Sequence, residues 1–257
     1  MTLPRILSEP GHLRVAGAPE GFDALAVADA ARARGGVTAF VARDEARANS
    51  LVEALSFFAP DLEVLRFHNW DCLPYDRMGP TPGVSAGRMA ALSSLVHRKS
   101  NAPPLLVVTS TGALMQRLPP RDQVRSAGFS AKPGEDVDVE LLEFYFAANG
   151  YQRASTVSER GEFAIRGGVI DVFPPGAEEP VRLDLFGDTL ETLRTFDPLT
   201  QRSTGKLEQL NLLPVSEILL DDAAVRRFRT GFTARFGASA DDPLYATVSE
   251  GGRRPGM

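Results

Sequence analysis

The sequence predicts an α/β domain followed by a smaller α+β domain, and three observations carry the prediction. Short apolar strands alternate with helical stretches through the first 110 residues, which indicates a mostly parallel sheet with helices packed on it. The pattern breaks at Pro119-Pro120, after which a polar stretch runs to Gly134 and reads as a boundary. Beyond it a helix precedes consecutive strands of alternating character, an α+β order. Domain limits follow at 1–118, 119–197 and 198–257, the last being the return of the first domain.

In order, residues 21–34 form an alanine-rich helix closed by Gly35-Gly36, and 37–41 (VTAFV) a short buried strand. Residues 44–58 follow as a helix with Asp44 at its N-cap and Leu51, Val52, Leu55 and Phe58 on one stripe. The strand 63–67, the helix 84–96 and the strand 105–109 complete the alternation. After the boundary, 137–149 is a helix stopped by Asn149-Gly150. Residues 160–174, RGEFAIRGGVIDVFP, are a hairpin, with Gly167-Gly168 supplying two positive-φ positions of a primed turn. Val181, Leu183 and Leu185 alternate with polar neighbours before the turn at Gly187-Asp188. A strand at 209–215 and a helix at 222–236 follow, with Phe228, Phe232 and Phe236 as a packing stripe. Residues 248–257 read as a polar tail.

The hairpin is the main functional clue. The predicted register sets Arg166 against Val169, Ile165 against Ile170, Ala164 against Asp171, and Phe163 against Val172. One face, Phe163, Ile165, Ile170 and Val172, belongs to a core. The other holds Glu162, Ala164, Arg166, Val169, Asp171 and Phe173. Charge mixed with exposed aliphatic and aromatic area on that face suits a partner surface, while a face covered by the protein's own helix is the competing reading.

Composition narrows the function classes. The 257 residues are 43% hydrophobic and 24% charged with a net charge of −5, which disfavours nucleic acid as sole partner. Cys72 is the only cysteine, so an intramolecular disulfide is excluded, and no apolar run approaches bilayer length; a cytoplasmic protein is expected. Residues 17–24, GAPEGFDA, occupy the place of a phosphate-binding loop ahead of the first helix. Phe22, Asp23 and Ala24 stand after Gly17 where G-x-x-x-x-G-K-[ST] requires Gly, Lys and Ser/Thr. A carboxylate in place of the ammonium repels a triphosphate, so this loop is either a dead nucleotide site or an ordinary Gly turn. Asp71, Asp76 and His68 in the Pro/Gly-rich loop 67–83 supply neither nucleophile nor metal set, and that loop is expected to pack Trp70 and Tyr75 onto the domain.

The hairpin 160–174, FGDTLETLRTFDPLTQRS at 186–203, NWDCLPYD at 69–76 and TGALMQRLPP at 111–120 together resemble the UvrB-like N-terminal module of bacterial transcription-repair coupling factors, the Mfd family. The resemblance runs over nearly the whole chain. It implies a degenerate RecA-like parallel-sheet domain interrupted by a small α+β domain that docks onto UvrA. It further implies UvrA contacts at Arg153 and Arg166, with Val169 and Phe173 beside the latter and Ala164 replacing a third arginine found in UvrB. ATP and Mg²⁺ belong to the motor of the complete family protein, as do contacts with RNA polymerase and double-stranded DNA, so this chain is expected to need no cofactor and to be a fragment or truncated product. In the complete protein the docking face can be masked. The competing function is a UvrB-type nucleotide-dependent enzyme that binds damaged DNA.

Overall fold

The computed structural model describes residues 11–12, 14–19, 21–73, 78–237 and 242–254. In chain order the elements are α1 Phe22–Arg34, β1 Val37–Ala42, α2 Glu45–Phe58, β2 Glu63–Arg66, α3 Pro82–His97, β3 Leu105–Ser110, α4 Thr111–Leu114, α5 Arg121–Ser126, β4 Phe129–Ala131, α6 Val139–Ala148, β5 Gln152–Arg153, β6 Glu162–Arg166, β7 Val169–Val172, β8 Val181–Phe186, β9 Thr189–Phe196, β10 Ser203–Lys206, β11 Leu210–Leu212, α7 Asp222–Phe236 and α8 Pro243–Ser249. They fall into two compact units, 1–69 with 97–117, and 70–96 with 118–257.

The first unit is built on a parallel sheet of order β1-β3-β2. Its central strand β3, LLVVTS, is buried along its whole length because it has a neighbour on each side. Helices α1 and α2 pack Ala24, Ala28, Ala31, Ala48, Leu51 and Leu55 against Leu106 and Val108. Asp44 caps α2 by accepting from the Arg47 amide at 2.8 Å. Two expectations fail here. β1 is an edge strand whose Val37 and Val41 are exposed, and Phe58 ends α2 exposed instead of on the buried stripe. Residues 14–16, ahead of the Gly17 loop, form no strand, and residues 1–10, 13 and 20 lie outside the described set.

The second unit carries a six-stranded sheet of order β10-β9-β8-β7-β6-β5, antiparallel except between β5 and β6, and a small β11-β4 pair. Its core lies on one sheet face, where Leu142 and Phe146 of α6 meet Phe163, Ile170, Val172, Leu183, Leu190 and Leu193. Phe146 stacks on Phe163 with ring centroids 4.4 Å apart. Ala86 of α3 joins the same core. Arg88 of α3 is fully buried and donates from Nε to Glu217 at 2.5 Å and from Nη2 at 3.0 Å, while its guanidinium lies 5.5 Å from the Trp70 ring centroid. Phe228, Phe232 and Phe236 line up along α7, and the first two meet Tyr245 of α8, yet no residue of α7 is buried.

Candidate partner-docking site

The observed hairpin has the predicted pairing at every position from Phe163–Val172 to Arg166–Val169. The turn differs in one respect. Only Gly167 has positive φ, at 59°, and Gly168 is needed for another reason: a Cβ there would lie 2.7 Å from the Leu185 carbonyl oxygen of β8.

The second face of the hairpin is less open than its composition suggested. Ala164 and Phe173 are buried with Val157 and Phe196, and Ala177 packs on them, so a small second core covers that half of the face. Phe173 is therefore not available beside Arg166. The Arg160 guanidinium lies over its ring, 5.1 Å from the centroid, and donates to the Ala177 carbonyl at 3.0 Å. The covering is made by loop residues and by Phe196 at the end of β9, instead of a helix. What remains open is Arg166, with its side chain 48% exposed, and half-buried Val169 opposite it.

Arg166 is held from below. Asp171 on β7 is completely buried and accepts from Arg166 Nη2, while Arg182 on β8 donates to the same carboxylate at 2.6 and 2.9 Å. Hydrogen bonding to Asp171 raises the Arg182 pKa further, against the pull of burial. Arg166 Nη1 donates to the Ser155 carbonyl at 3.1 Å. Both terminal nitrogens of the guanidinium are thus engaged within the chain, while about half of the side chain stays open to solvent.

Arg153 sits elsewhere. β5 pairs in parallel with β6, Arg153 against Phe163, so its side chain shares the α6 face of the sheet. There it donates to Glu143 of α6 at 2.6 Å. Arg153 and Arg166 point to opposite faces, separated by the edge of the sheet that β5 forms.

The loop at Gly17 leads into a helix start that is already occupied. Gly21 adopts a left-handed conformation (φ 83°) at the N-cap of α1, Phe22 opens the helix, and Ala24 is buried in the core. Asp23 accepts from the Ala24 amide at 3.0 Å and from Arg47 Nη2. The positive end of the helix dipole and the nearest cation are both answered by a carboxylate of the chain itself. The same holds at the carboxyl ends of the strands, where α/β sheets bind ligands. Glu45 accepts there from Arg66 Nη2 at 2.5 Å, Ser110 Oγ at 2.6 Å and the Asn69 amide at 3.2 Å. Burial lowers the Arg66 pKa although Glu45 opposes it.

Asp71 is spent on structure, accepting from the Thr81 amide at 2.9 Å and its hydroxyl at 2.6 Å. Burial pushes its pKa up, but the Thr81 bonds outweigh that and the net shift is downward. Trp70 is anchored through Nε1 to Glu217 at 3.1 Å, and Cys72 is half-buried. Tyr75 and Asp76 lie outside the described residues. Among the described residues, no three His, Cys, Asp or Glu side chains come together in a way that could hold a metal ion.

Sequence reasoning missed Asp171 and Arg182 as the support of Arg166, and it missed α8. The signal for α8 was present: Asp242 before Pro243 is an N-cap followed by proline in the first turn, and Asp242 accepts from the Leu244 amide at 2.8 Å.

Comparison with known proteins places residues 129–218 in the UvrB interaction domain family. The chain is similar to the transcription-repair-coupling factor of Haemophilus influenzae, 34% identical over 251 residues, covering 96% of this chain and 22% of that protein. The Escherichia coli K12 counterpart is 32% identical across 89% of this chain and 20% of its own length. The Myxococcus xanthus protein of the same name is 37% identical across 71% and 15%. The chain therefore spans about a fifth or less of these relatives.

Proposed function

The chain belongs to the transcription-repair-coupling factor family, carrying its UvrB-homology module, and from that premise we propose that it is a non-catalytic docking module that binds UvrA and so recruits excision repair to stalled RNA polymerase. The observation that carries the reading is Arg166, half exposed on the hairpin and oriented by a buried carboxylate. Arginines held in this way are strong interface anchors, because little side-chain freedom is left to lose on binding. Val169 supplies the adjoining apolar contact, and Arg153 is reached only by a partner that folds round the β5 edge. Phe173 supports this surface from beneath.

The module needs no cofactor, and ATP, Mg²⁺, duplex DNA and RNA polymerase are engaged by other regions of the complete family protein. The Asp23–Arg47 pair and the self-satisfied Glu45 cluster support that part of the reading. A cytoplasmic role is part of the proposal; among the described residues no helix is long and apolar enough to cross a membrane.

Titration of UvrA into this chain tests the proposal. Arg166→Ala and Arg153→Glu are each expected to weaken binding by about 2 kcal/mol or more, roughly 30-fold, with unchanged circular dichroism. Wild-type affinity in both variants overturns it. The competing reading, a UvrB-type nucleotide-dependent enzyme, is separated by calorimetry with ATP and Mg²⁺, which is expected to give no binding heat.

A further inference from the structure

We propose that Arg194 is a second arginine anchor on the face that presents Arg166, positioned to take an acidic group of the same protein partner; the proposal rests on the UvrA-docking reading above. Strand register carries it. Arg166 pairs with Val169, Val169 with Asp184 and Asp184 with Thr192, while in the next row Ala164, Asp171, Arg182 and Arg194 are paired in the same succession. Directly paired residues share a sheet face, so Arg166 and Arg194 stand on one face three strands and one row of two residues apart, about 16 Å at ~4.8 Å per strand spacing and ~3.4 Å per residue.

The three arginines of this face are neutralised to different degrees. Arg182 is taken up by Asp171 and the Gln201 carbonyl. Arg166 shares that carboxylate and also holds the Ser155 carbonyl. Arg194, with its side chain 43% exposed, is paired across the strands with Arg182 and Lys206, and its ion pair to Asp184 has a separation of 3.7 Å at Nε, which is outside hydrogen-bond range. That carboxylate already accepts from the Thr192 hydroxyl at 2.6 Å. Arg194 Nε is shielded from water and has no hydrogen-bond partner. On the strands of this face Arg166, Arg182, Arg194 and Lys206, which pairs with Arg194, stand against Glu162, Asp171 and Asp184, leaving one positive charge in excess, located where the pairing is poorest. With Nε shielded and its ion pair to Asp184 too long for a hydrogen bond, a partner carboxylate would be met by the terminal nitrogens of the guanidinium, which can donate two parallel bonds to it. The complementary partner surface carries two acidic groups about 16 Å apart with an apolar contact for Val169 between them.

The test uses the full chain titrated with purified UvrA at two salt concentrations. Arg194→Met keeps the packing of the stem and removes the charge; it is expected to weaken binding 5- to 10-fold and to reduce the salt dependence, with an unchanged melting temperature. Arg194→Lys is expected to restore only part of the loss, because an ammonium lacks the fork. Arg166→Ala with Arg194→Met should give the product of the single losses within about twofold, as separated sites do. Wild-type affinity for Arg194→Met alongside a loss for Arg166→Ala overturns the Arg194 assignment and leaves the docking reading standing. Wild-type affinity in both single variants removes both.

Discussion

Asp23 with Arg47 and Asp171 with Arg166 are the same chemical pair in two settings, and they do opposite things. In the first, carboxylate and guanidinium are about equally withdrawn, 30% and 27% exposed, and together they close the start of a helix. In the second, the carboxylate is entirely buried while the guanidinium is half in solvent. On the docking reading proposed above, the first pair closes a helix start and the second presents a contact to a partner. Whether an ion pair closes or opens a surface depends on how unequally its two ends are buried, because only an exposed end with a fixed geometry has something to offer a partner.

The sharpest way to break the comparison is Asp171→Ala. It leaves the Arg182 guanidinium, only 22% exposed, without its carboxylate, and removal of one member of a buried pair is expected to cost about 3 kcal/mol in a urea unfolding series. A loss below about 1 kcal/mol would show that Asp171 is dispensable support. Arg166→Ala comes next and should separate two readouts. UvrA binding falls by about 2 kcal/mol while stability changes by less than about 1 kcal/mol, since Asp171 retains Arg182 and Arg166 is half exposed. Equal losses in both would make Arg166 a structural residue.

Asp23→Lys attacks the other side. Placing an ammonium at the helix start beside Arg47 replaces an attraction with a repulsion, an expected cost of about 1 to 2 kcal/mol in thermal or urea unfolding. It should also fail to create ATP binding by calorimetry, because Phe22 and Ala24 still lack the backbone freedom and hydroxyl such a loop needs. Measurable ATP affinity in this variant would mean that the pocket is intact and merely plugged.

Much of this was legible in sequence, for reasons that particular residues make plain. The hairpin register was readable because Phe163, Ile165, Ile170 and Val172 can share only one face, and a slip of one residue would expose them. The helix cap at Asp44 and the stop at Gly150 were readable because both are local backbone requirements. The cover over Phe173 was not, because Val157 and Phe196 arrive from a loop and from a strand two hairpins away. Nor was the role of Gly168, whose constraint is a carbonyl of β8. The exposed side of β1 escaped for a similar reason: VTAFV looks the same whether it is central or at an edge. In the site, local chemistry showed that Asp23 could not serve a phosphate, but the support of Arg166 by a buried carboxylate depends on three strands meeting.

A broader test of the second unit uses pH. Burial raises the pKa of Tyr145 and, with Tyr145 adding to it, of Tyr151, whose hydroxyl donates to the Leu213 carbonyl at 2.7 Å. A folded-state pKa above the unfolded value of about 10 means the stability is fully present below pH 10 and is lost as pH rises from there toward the folded value. Urea midpoints followed from pH 8 upward should fall only above about pH 10, and Tyr145→Phe should reduce the slope. A flat alkaline limb would mean that these hydroxyls are solvated.

The smallest expected effect is the most informative control. Arg153 and Glu143 form a pair with both ends exposed, 58% and 45%, at a distance of 2.6 Å that matches the tighter pairs above. Distance alone would rank it with Asp171–Arg182. Burial ranks it far lower, because two solvated ends gain little from each other and give up side-chain freedom to meet. Arg153→Ala is therefore expected to change stability by no more than about 0.5 kcal/mol, while in UvrA binding it should still register, since a partner wrapping the β5 edge would desolvate the guanidinium that water now screens. A stability loss above about 1 kcal/mol would put this pair in the same class as Asp171, and unequal burial would then no longer explain why one ion pair builds the fold and another is left for a partner.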